Sequence, residues 1–253
     1  MESETVFKMQ DSEYFYSKKY PIRYSEMDFR EVLKPYALLN FLQDMATENA
    51  EMLGFGPSFV FPRNYAWFLI KYHMEFDEYP CNLDDIIIHT EARGYSKILA
   101  SRDFEIWTAN NKRLGRVSSN WMLIDLNTKS ILPFAKTIDF MPNFQKRVND
   151  LSFEKIKPLV RVDYEKTFEI RFVDIDINQH VNNANYIIWA FEALPYEFNS
   201  THKIKTLDVV YKKEIAYGAN VISQVELEGN VSTHMLKNSE TDEELCFIRV
   251  DWV

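Results

Sequence analysis

The sequence predicts an α+β fold made twice over, each copy an antiparallel sheet wrapped around one long central helix. Three observations predict it. The string Ile22-Arg23-Tyr24-Ser25-Glu26-Met27-Asp28 returns 148 positions later as Ile170-Arg171-Phe172-Val173-Asp174-Ile175-Asp176. Each copy opens on period-two alternation and passes into an apolar helical pattern. Further strand patterns then recur at offsets of 135 and 131.

Tyr20, Ile22 and Tyr24 alternate with other residues, as do Phe168, Ile170 and Phe172, which predicts a strand with one buried face. Leu38, Phe41, Leu42, Met45 and Ala46 then recur at helical spacing, and the offset carries on, matching Phe41 to Trp189 and Asp44 to Glu192. In the second copy, residues 186–191 and Leu194 are apolar almost all round, the mark of a helix covered on most sides. Residues 86–91 resemble 221–226, and 117–126, holding Trp121, resemble 248–253, holding Trp252. The shrinking offset predicts shorter loops in the second copy. Pro133, Pro142, Pro158 and several lysines mark residues 132–165 as a linker crossing the outside. One repeat is thus expected in residues 1–140, with the linker and second repeat in 141–253.

Composition narrows the function. The chain is 46% hydrophobic with only 6 glycines, which argues for a large packed core and against disorder. A net charge of −9 argues against a sequence-independent nucleic-acid binder. Cys81 and Cys246 lie far apart and form no Cys-x-x-Cys, so neither a disulfide framework nor a zinc site is expected. The start, Met-Glu-Ser-Glu-Thr, has no basic region ahead of an apolar core, and the longest apolar run stops at Lys71. Neither a signal peptide nor a membrane span is expected, and a cytoplasmic location follows.

The dense polar segment is Asp174-Ile175-Asp176-Ile177-Asn178-Gln179-His180-Val181-Asn182-Asn183, between a predicted strand and a buried helix. It has a plain structural reading as a turn that caps the helix. Against that, a carboxylate, an amide and an imidazole alternate at 176, 178 and 180, and in an extended stretch all three face one cleft. The helix start near Asn183 supplies backbone N–H groups for an oxyanion. The first copy has Arg30, Val32 and Pro35 where the second has Asn178, His180 and Asn183. One half reads as active, the other as support.

The pattern Asp176-x-Asn178-x-His180-x-Asn182-Asn183-x-x-Tyr186 resembles the hot-dog thioesterase motif. With Trp189 and Glu192, the string from Asn178 to Asn183 is similar to that of the acyl-acyl carrier protein thioesterases. Ile22-Arg23 to Glu26, Phe76-Asp77-Glu78-Tyr79-Pro80, Ser101-Arg102-Asp103-Phe104 and Ser118-Ser119-Asn120-Trp121 extend the likeness along most of the chain. The resemblance implies a double hot-dog fold and release of free fatty acid from acyl carrier protein, without cofactor or metal. It implies catalytic roles for Asp176, Asn178 and His180, and for Glu214 in Tyr211-Lys212-Lys213-Glu214-Ile215, where the family has a cysteine at the place of Ile215. That departure counts against a thiol nucleophile. Asp176 or Glu214 is then the base or nucleophile, His180 orients water or a carboxylate and assists proton transfer, and Asn178 positions substrate through its amide.

An acyl chain needs an apolar slot, with Phe41, Leu42, Met45 and Trp67 as candidate walls and Asn183 at its reacting end. The same residues also read as ordinary core. Carrier docking calls for basic residues, of which Lys18, Lys19, Arg113, Lys212 and Lys213 are candidates. An acyl-coenzyme A thioesterase, a dehydratase of the same fold and a non-catalytic acyl-binding protein are the rival readings. A doubled chain is compatible with a monomer or a homodimer.

Overall fold

The computed structural model describes residues 12–82, 84–134, 149–177 and 179–253. In chain order the elements are β1 (Phe15–Tyr20), α1 (Pro35–Met52), α2 (Pro57–Val60), β2 (Tyr65–Phe76), β3 (Ile86–Tyr95), β4 (Ala100–Thr108), β5 (Arg113–Asp125) and β6 (Ser130–Ile131). After the linker come β7 (Tyr164–Glu169), α3 (Asn183–Glu192), α4 (Tyr196–Thr201), β8 (Ile204–Tyr211), β9 (Asn220–Glu228), β10 (Val231–Asn238) and β11 (Glu244–Trp252). The strands form one sheet in the order β1-β3-β4-β5-β2-β8-β11-β10-β9-β7, with β6 added to β5. Its halves match from the two edges inward: β1, β3, β4, β5 and β2 answer to β7, β9, β10, β11 and β8. This is the doubled arrangement that the repeat predicts.

Pro35 starts α1 with φ already set for a helix. Its face carries Leu38, Leu39, Leu42 and Met45, each at most 1% exposed. In α3, Ala184, Tyr186, Ile187, Trp189 and Ala190 are buried. The two helices touch, and one apolar core joins them to strands of both halves.

The halves meet where β2 pairs antiparallel with β8, His73 opposite Asp208. These two residues are separated by 135 positions, the offset that relates the later strands of the copies, so the local pseudo-two-fold axis passes between them. His73 Nδ1 lies 2.6 Å from Asp208 Oδ1. Burial alone would favour the neutral ring, but Asp208, then Glu75, outweigh it and raise the imidazole pKa. A raised folded pKa stabilises fully below the ordinary histidine value, and that gain is lost as pH rises through the folded value. Asp208→Asn is expected to cost about 1–3 kcal/mol at pH 6 and to flatten the fall in unfolding free energy between pH 6 and 9, measured by denaturant titration.

Two expectations need correction. Tyr24 and Phe172 do not sit on a buried strand face. They begin 3-10 turns, Tyr24–Glu26 and Phe172–Asp174, and are 87% and 83% exposed. The strands end early because carboxylates take the next backbone donors: Arg23 N–H bonds Glu26 Oε2 at 2.7 Å, and Arg171 N–H bonds Asp174 Oδ2 at 2.8 Å. The expected linker also has a buried residue near its start, Phe134, in a small core with Phe55, Val60 and Leu123. Beyond 135–148, which lie outside the described residues, Asn149 donates to Asp103 Oδ1 at 2.7 Å and Leu151 N–H to Ser118 Oγ at 3.1 Å. The linker is therefore pinned to the first half before it runs to β7.

Candidate active site

The segment between β7 and α3 is a closed turn, not the extended stretch that the alternation of Asp176 and His180 predicts. Gln179 N–H bonds the Asp176 carbonyl at 3.0 Å, and Asp176 N–H bonds the His180 carbonyl at 2.8 Å. Gln179 takes a left-handed φ of 65°, which lets the chain reverse. Ile175 and Val181 then pair as an antiparallel bridge. Asp174, 1% exposed, braces the turn: its carboxylate binds Arg171, and its carbonyl accepts from Asn182 N–H and Asn185 Nδ2 at 2.9 Å each. Asn178 lies outside the described residues.

Asn182 caps α3, its side chain accepting from Ala184 N–H at 2.8 Å, while Asn185 N–H bonds the Asn182 carbonyl. Those two backbone donors of the expected oxyanion site are thus already engaged. Asn183 is the first helical residue, and its carbonyl accepts from the Tyr211 hydroxyl at 3.1 Å. This bond ties the helix start to the end of β8, from which Glu214 follows. Val181 N–H reaches the Ile215 carbonyl at 3.4 Å, a second tie between the segments.

These ties bring Glu214 to the turn. Its Oε2 lies 3.1 Å from His180 Nδ1, a close approach outside hydrogen-bonding alignment, with the two side chains 41% and 35% exposed. Burial, and then the negative charge of Asp176, push the Glu214 carboxyl up to about 7. A carboxyl poised there can take a proton near neutral pH. The structure thus brings Asp176, His180 and Glu214 together. No thiol joins them: Ile215 is 5% exposed in the core, and burial pushes the Cys246 thiol far up. Among the described residues, no group of three or more His, Cys, Asp or Glu could hold a metal ion.

A cavity of about 200 Å³ adjoins this turn, lined by Ala46 and Ala50 of α1, Trp67 of β2, Arg102 of β4, Trp121 of β5 and Ile177 of the turn itself. Ile177 is 84% exposed, so it stands at the mouth. Trp67 is anchored by its indole N–H to the Phe55 carbonyl at 2.9 Å. Phe41, Leu42 and Met45 do not line this cavity; they are packed in the main core. Arg102 is a cation in a mainly apolar wall, with Thr47 and Ser101 as further polar residues. It donates to Asn49 Oδ1 at 2.6 Å and Thr90 Oγ1 at 3.0 Å, and burial brings its pKa down to about 10.

The family model described as the acyl-ACP thioesterase N-terminal domain matches residues 13–139, and its C-terminal counterpart matches residues 158–253. The chain belongs to the acyl-ACP thioesterase family. Among curated relatives, the oleoyl-acyl carrier protein thioesterase of Coriandrum sativum is 25% identical over 240 residues, covering 88% of this chain and 65% of that protein. An acyl-[acyl-carrier-protein] hydrolase of Cuphea viscosissima is 29% identical over 191 residues, covering 70% of this chain and 46% of that one. The chain therefore spans less than two thirds of these relatives' length.

Solved structures carry the double hot-dog fold assignment. The 12:0-ACP thioesterase of Umbellularia californica superposes with a TM-score of 0.85 at 22% identity, over 95% of this chain and 97% of that one. An acyl-ACP thioesterase of Bacteroides thetaiotaomicron gives 0.81 at 23%, over 98% and 100%. In this member of the acyl-ACP thioesterase family, Ile177, Arg102 and the Tyr211–Asn183 bond went unassigned by sequence reasoning. Arg102 and Tyr211 stood inside strings that resemble the family, without a role of their own, and Ile177 stood as an apolar residue inside a polar turn.

Proposed function

We propose that the chain hydrolyses acyl thioesters and releases free fatty acid from acyl carrier protein. The observation that carries this is the Glu214 carboxyl, poised near neutrality beside His180 and Asp176, next to an apolar cavity whose mouth is Ile177. The acyl chain lies in that cavity and the carbonyl at the turn. Glu214 takes a proton from water as the water oxygen bonds the carbonyl carbon. His180 orients the pair. The oxyanion then collapses and expels the thiolate, which leaves as the thiol after taking up a proton. Asn178 keeps the positioning role that the family motif implies.

Family membership supports the carrier protein as donor; the basic residues do not add to it. Lys18, Lys19, Arg113, Lys212 and Lys213 are each in an ion pair, with Glu48, Asp85, Asp77, Glu244 and Glu243. Among the described residues no helix is long and apolar enough to cross a membrane. The test is thiol release from matched panels of acyl carrier protein and acyl-coenzyme A thioesters. Faster turnover of the carrier protein substrates is expected. Preference for coenzyme A would change the donor, and no release from either would overturn the hydrolase reading.

Two further results are expected. First, kcat/KM rises with pH through a limb near the Glu214 value of about 7. Asp176→Asn removes the like charge and should move that limb to lower pH in whatever activity remains. Second, Ala50→Phe fills the cavity and should penalise long acyl chains over short ones. The penalty is about 0.8 kcal/mol, roughly fourfold in kcat/KM, for each methylene excluded.

A further inference from the structure

The first half repeats the turn without its chemistry. Glu31 N–H bonds the Asp28 carbonyl at 3.0 Å and Asp28 N–H bonds the Val32 carbonyl at 2.8 Å, as their counterparts do around Asp176. Glu31 takes the left-handed φ of Gln179, at 58°. Val32 stands where His180 does, and Tyr79 where Glu214 does. Asp28 is held as a neutralised carboxylate. Burial would raise its pKa, but Arg30, with Nε and Nη2 at 3.0 and 2.7 Å from Oδ2, and two backbone N–H groups hold it below the ordinary range.

A cavity of about 390 Å³ nonetheless lies at this turn. Phe29, the counterpart of Ile177, lines it and is 70% exposed. Ile187 and Ile188 of α3, with Phe191 and Trp252, supply apolar walls, the last two rings 5.0 Å apart. The lining acids are engaged, Asp28 by Arg30 and Glu192 by Lys166. The lining cations Lys34 and Lys203 have no carboxylate within ion-pair distance among the described residues. The Tyr79 hydroxyl, also in the lining residue set, is buried without a hydrogen-bond partner among those residues.

We propose that this cavity is a second, non-hydrolytic site for a medium-chain fatty carboxylate, its chain against α3 and Trp252 and its head at Lys34 and Lys203. The apolar walls call for an aliphatic chain, and two cations outside any close ion pair, Lys34 held by the Ser25 carbonyl at 2.9 Å and Lys203 acting on Glu78 only at longer range, call for an anionic head. A ligand held there is not turned over, because the positions of His180 and Glu214 are Val32 and Tyr79. The proposal rests on the hydrolase reading only in that such a carboxylate is then a product of the other half.

The test is calorimetric titration of decanoate, below its micelle concentration, into the full chain and into Ile188→Trp and Lys203→Glu variants. Ile188→Trp should remove one equivalent of binding. Lys203→Glu should weaken that equivalent roughly tenfold, the loss of one charge-assisted contact, with thioester turnover unchanged. Binding identical to the parent chain in both variants overturns the site. If Ile188→Trp fails to fold, the exposed Lys203→Glu decides alone. A chain that releases no thiol can still be titrated, so failure of the hydrolase reading and failure of this site are separate results.

Discussion

His180→Ala is expected to lower kcat about 10²–10⁴-fold, the worth of positioned proton transfer, with circular dichroism unchanged. The ring is a third exposed, at the mouth of the site and outside the core, so its loss leaves little cavity. Glu214→Gln is expected to fall in the same range. It keeps the shape of the side chain while removing the carboxyl that burial pushes toward neutrality. It should also abolish the pH limb near 7, which simple misplacement of substrate would leave in place. The variants act through one reaction step, so the double variant should lose little beyond the worse single one. Thiol release measured as kcat, and as kcat/KM across pH for the limb, tests all three variants. If Glu214→Gln keeps more than about a tenth of the activity while Asp176→Asn loses it, the proton-accepting role belongs to Asp176.

Glu214 also makes a stability prediction of unusual sign. Its folded pKa lies above the ordinary glutamate value, so the folded state holds the proton more tightly. Stability therefore falls as pH rises from the ordinary value through about 7. Glu214→Gln should raise the melting temperature at pH 8 and leave it unchanged at pH 4. The carboxyl proposed to serve the chemistry is one the fold would be more stable without above neutral pH.

The second large effect is expected far from the chemistry. Arg93 is 5% exposed and binds Glu91 Oε2 at 2.8 Å, Asp103 Oδ2 at 2.7 Å and the Asp150 carboxylate. Glu91 and Asp103 are 1% and 2% exposed. Burial already raises the Asp103 pKa with Arg93 in place. Arg93→Met leaves both carboxylates buried without the guanidinium that pairs with them, with Arg102 acting on them from farther off, and should cost about 3–5 kcal/mol in denaturant unfolding. The loss should be smaller at low pH, where the stranded acids are protonated and no longer need a cation. The variant should also free the end of the linker, since Asp150 belongs to the stretch pinned against the first half. A loss below about 1 kcal/mol would mean that the cluster is worth no more than an exposed pair.

The repeat was legible because both copies keep the residues that close the same turn: an acid at Glu26 or Asp174, and an Asp at 28 or 176. Asp176 and His180 were legible from their spacing in one polar segment, whereas Glu214, 34 positions beyond His180, was legible only through the likeness to the family. The turn was legible from the Asp and Asn content of the segment, but not its left-handed residue, because Gln179 is neither glycine nor asparagine. The cavity proposed for the acyl chain was sought among large side chains, Phe41, Leu42, Met45 and Trp67, and of these Trp67 alone lines it. Space, however, exists where side chains are small, and Ala46, Ala50, Ala66, Ala92 and Ala100 all line the cavity. Spacing identifies which residues leave water. It does not say which of them leave room.

The contact of His73 with Asp208 has a meaning beyond its energy. On a true two-fold axis between identical chains, a residue that faces its own position meets a copy of itself. Two imidazolium ions would repel there, and so would two carboxylates. A donor can face an acceptor at such a point only when both sides are encoded separately on one chain. The same freedom allows one turn to carry His180 and Glu214 while the other carries Val32 and Tyr79. Tandem fusion here does more than hold two halves together: it lets positions that symmetry would force to be equal become complementary.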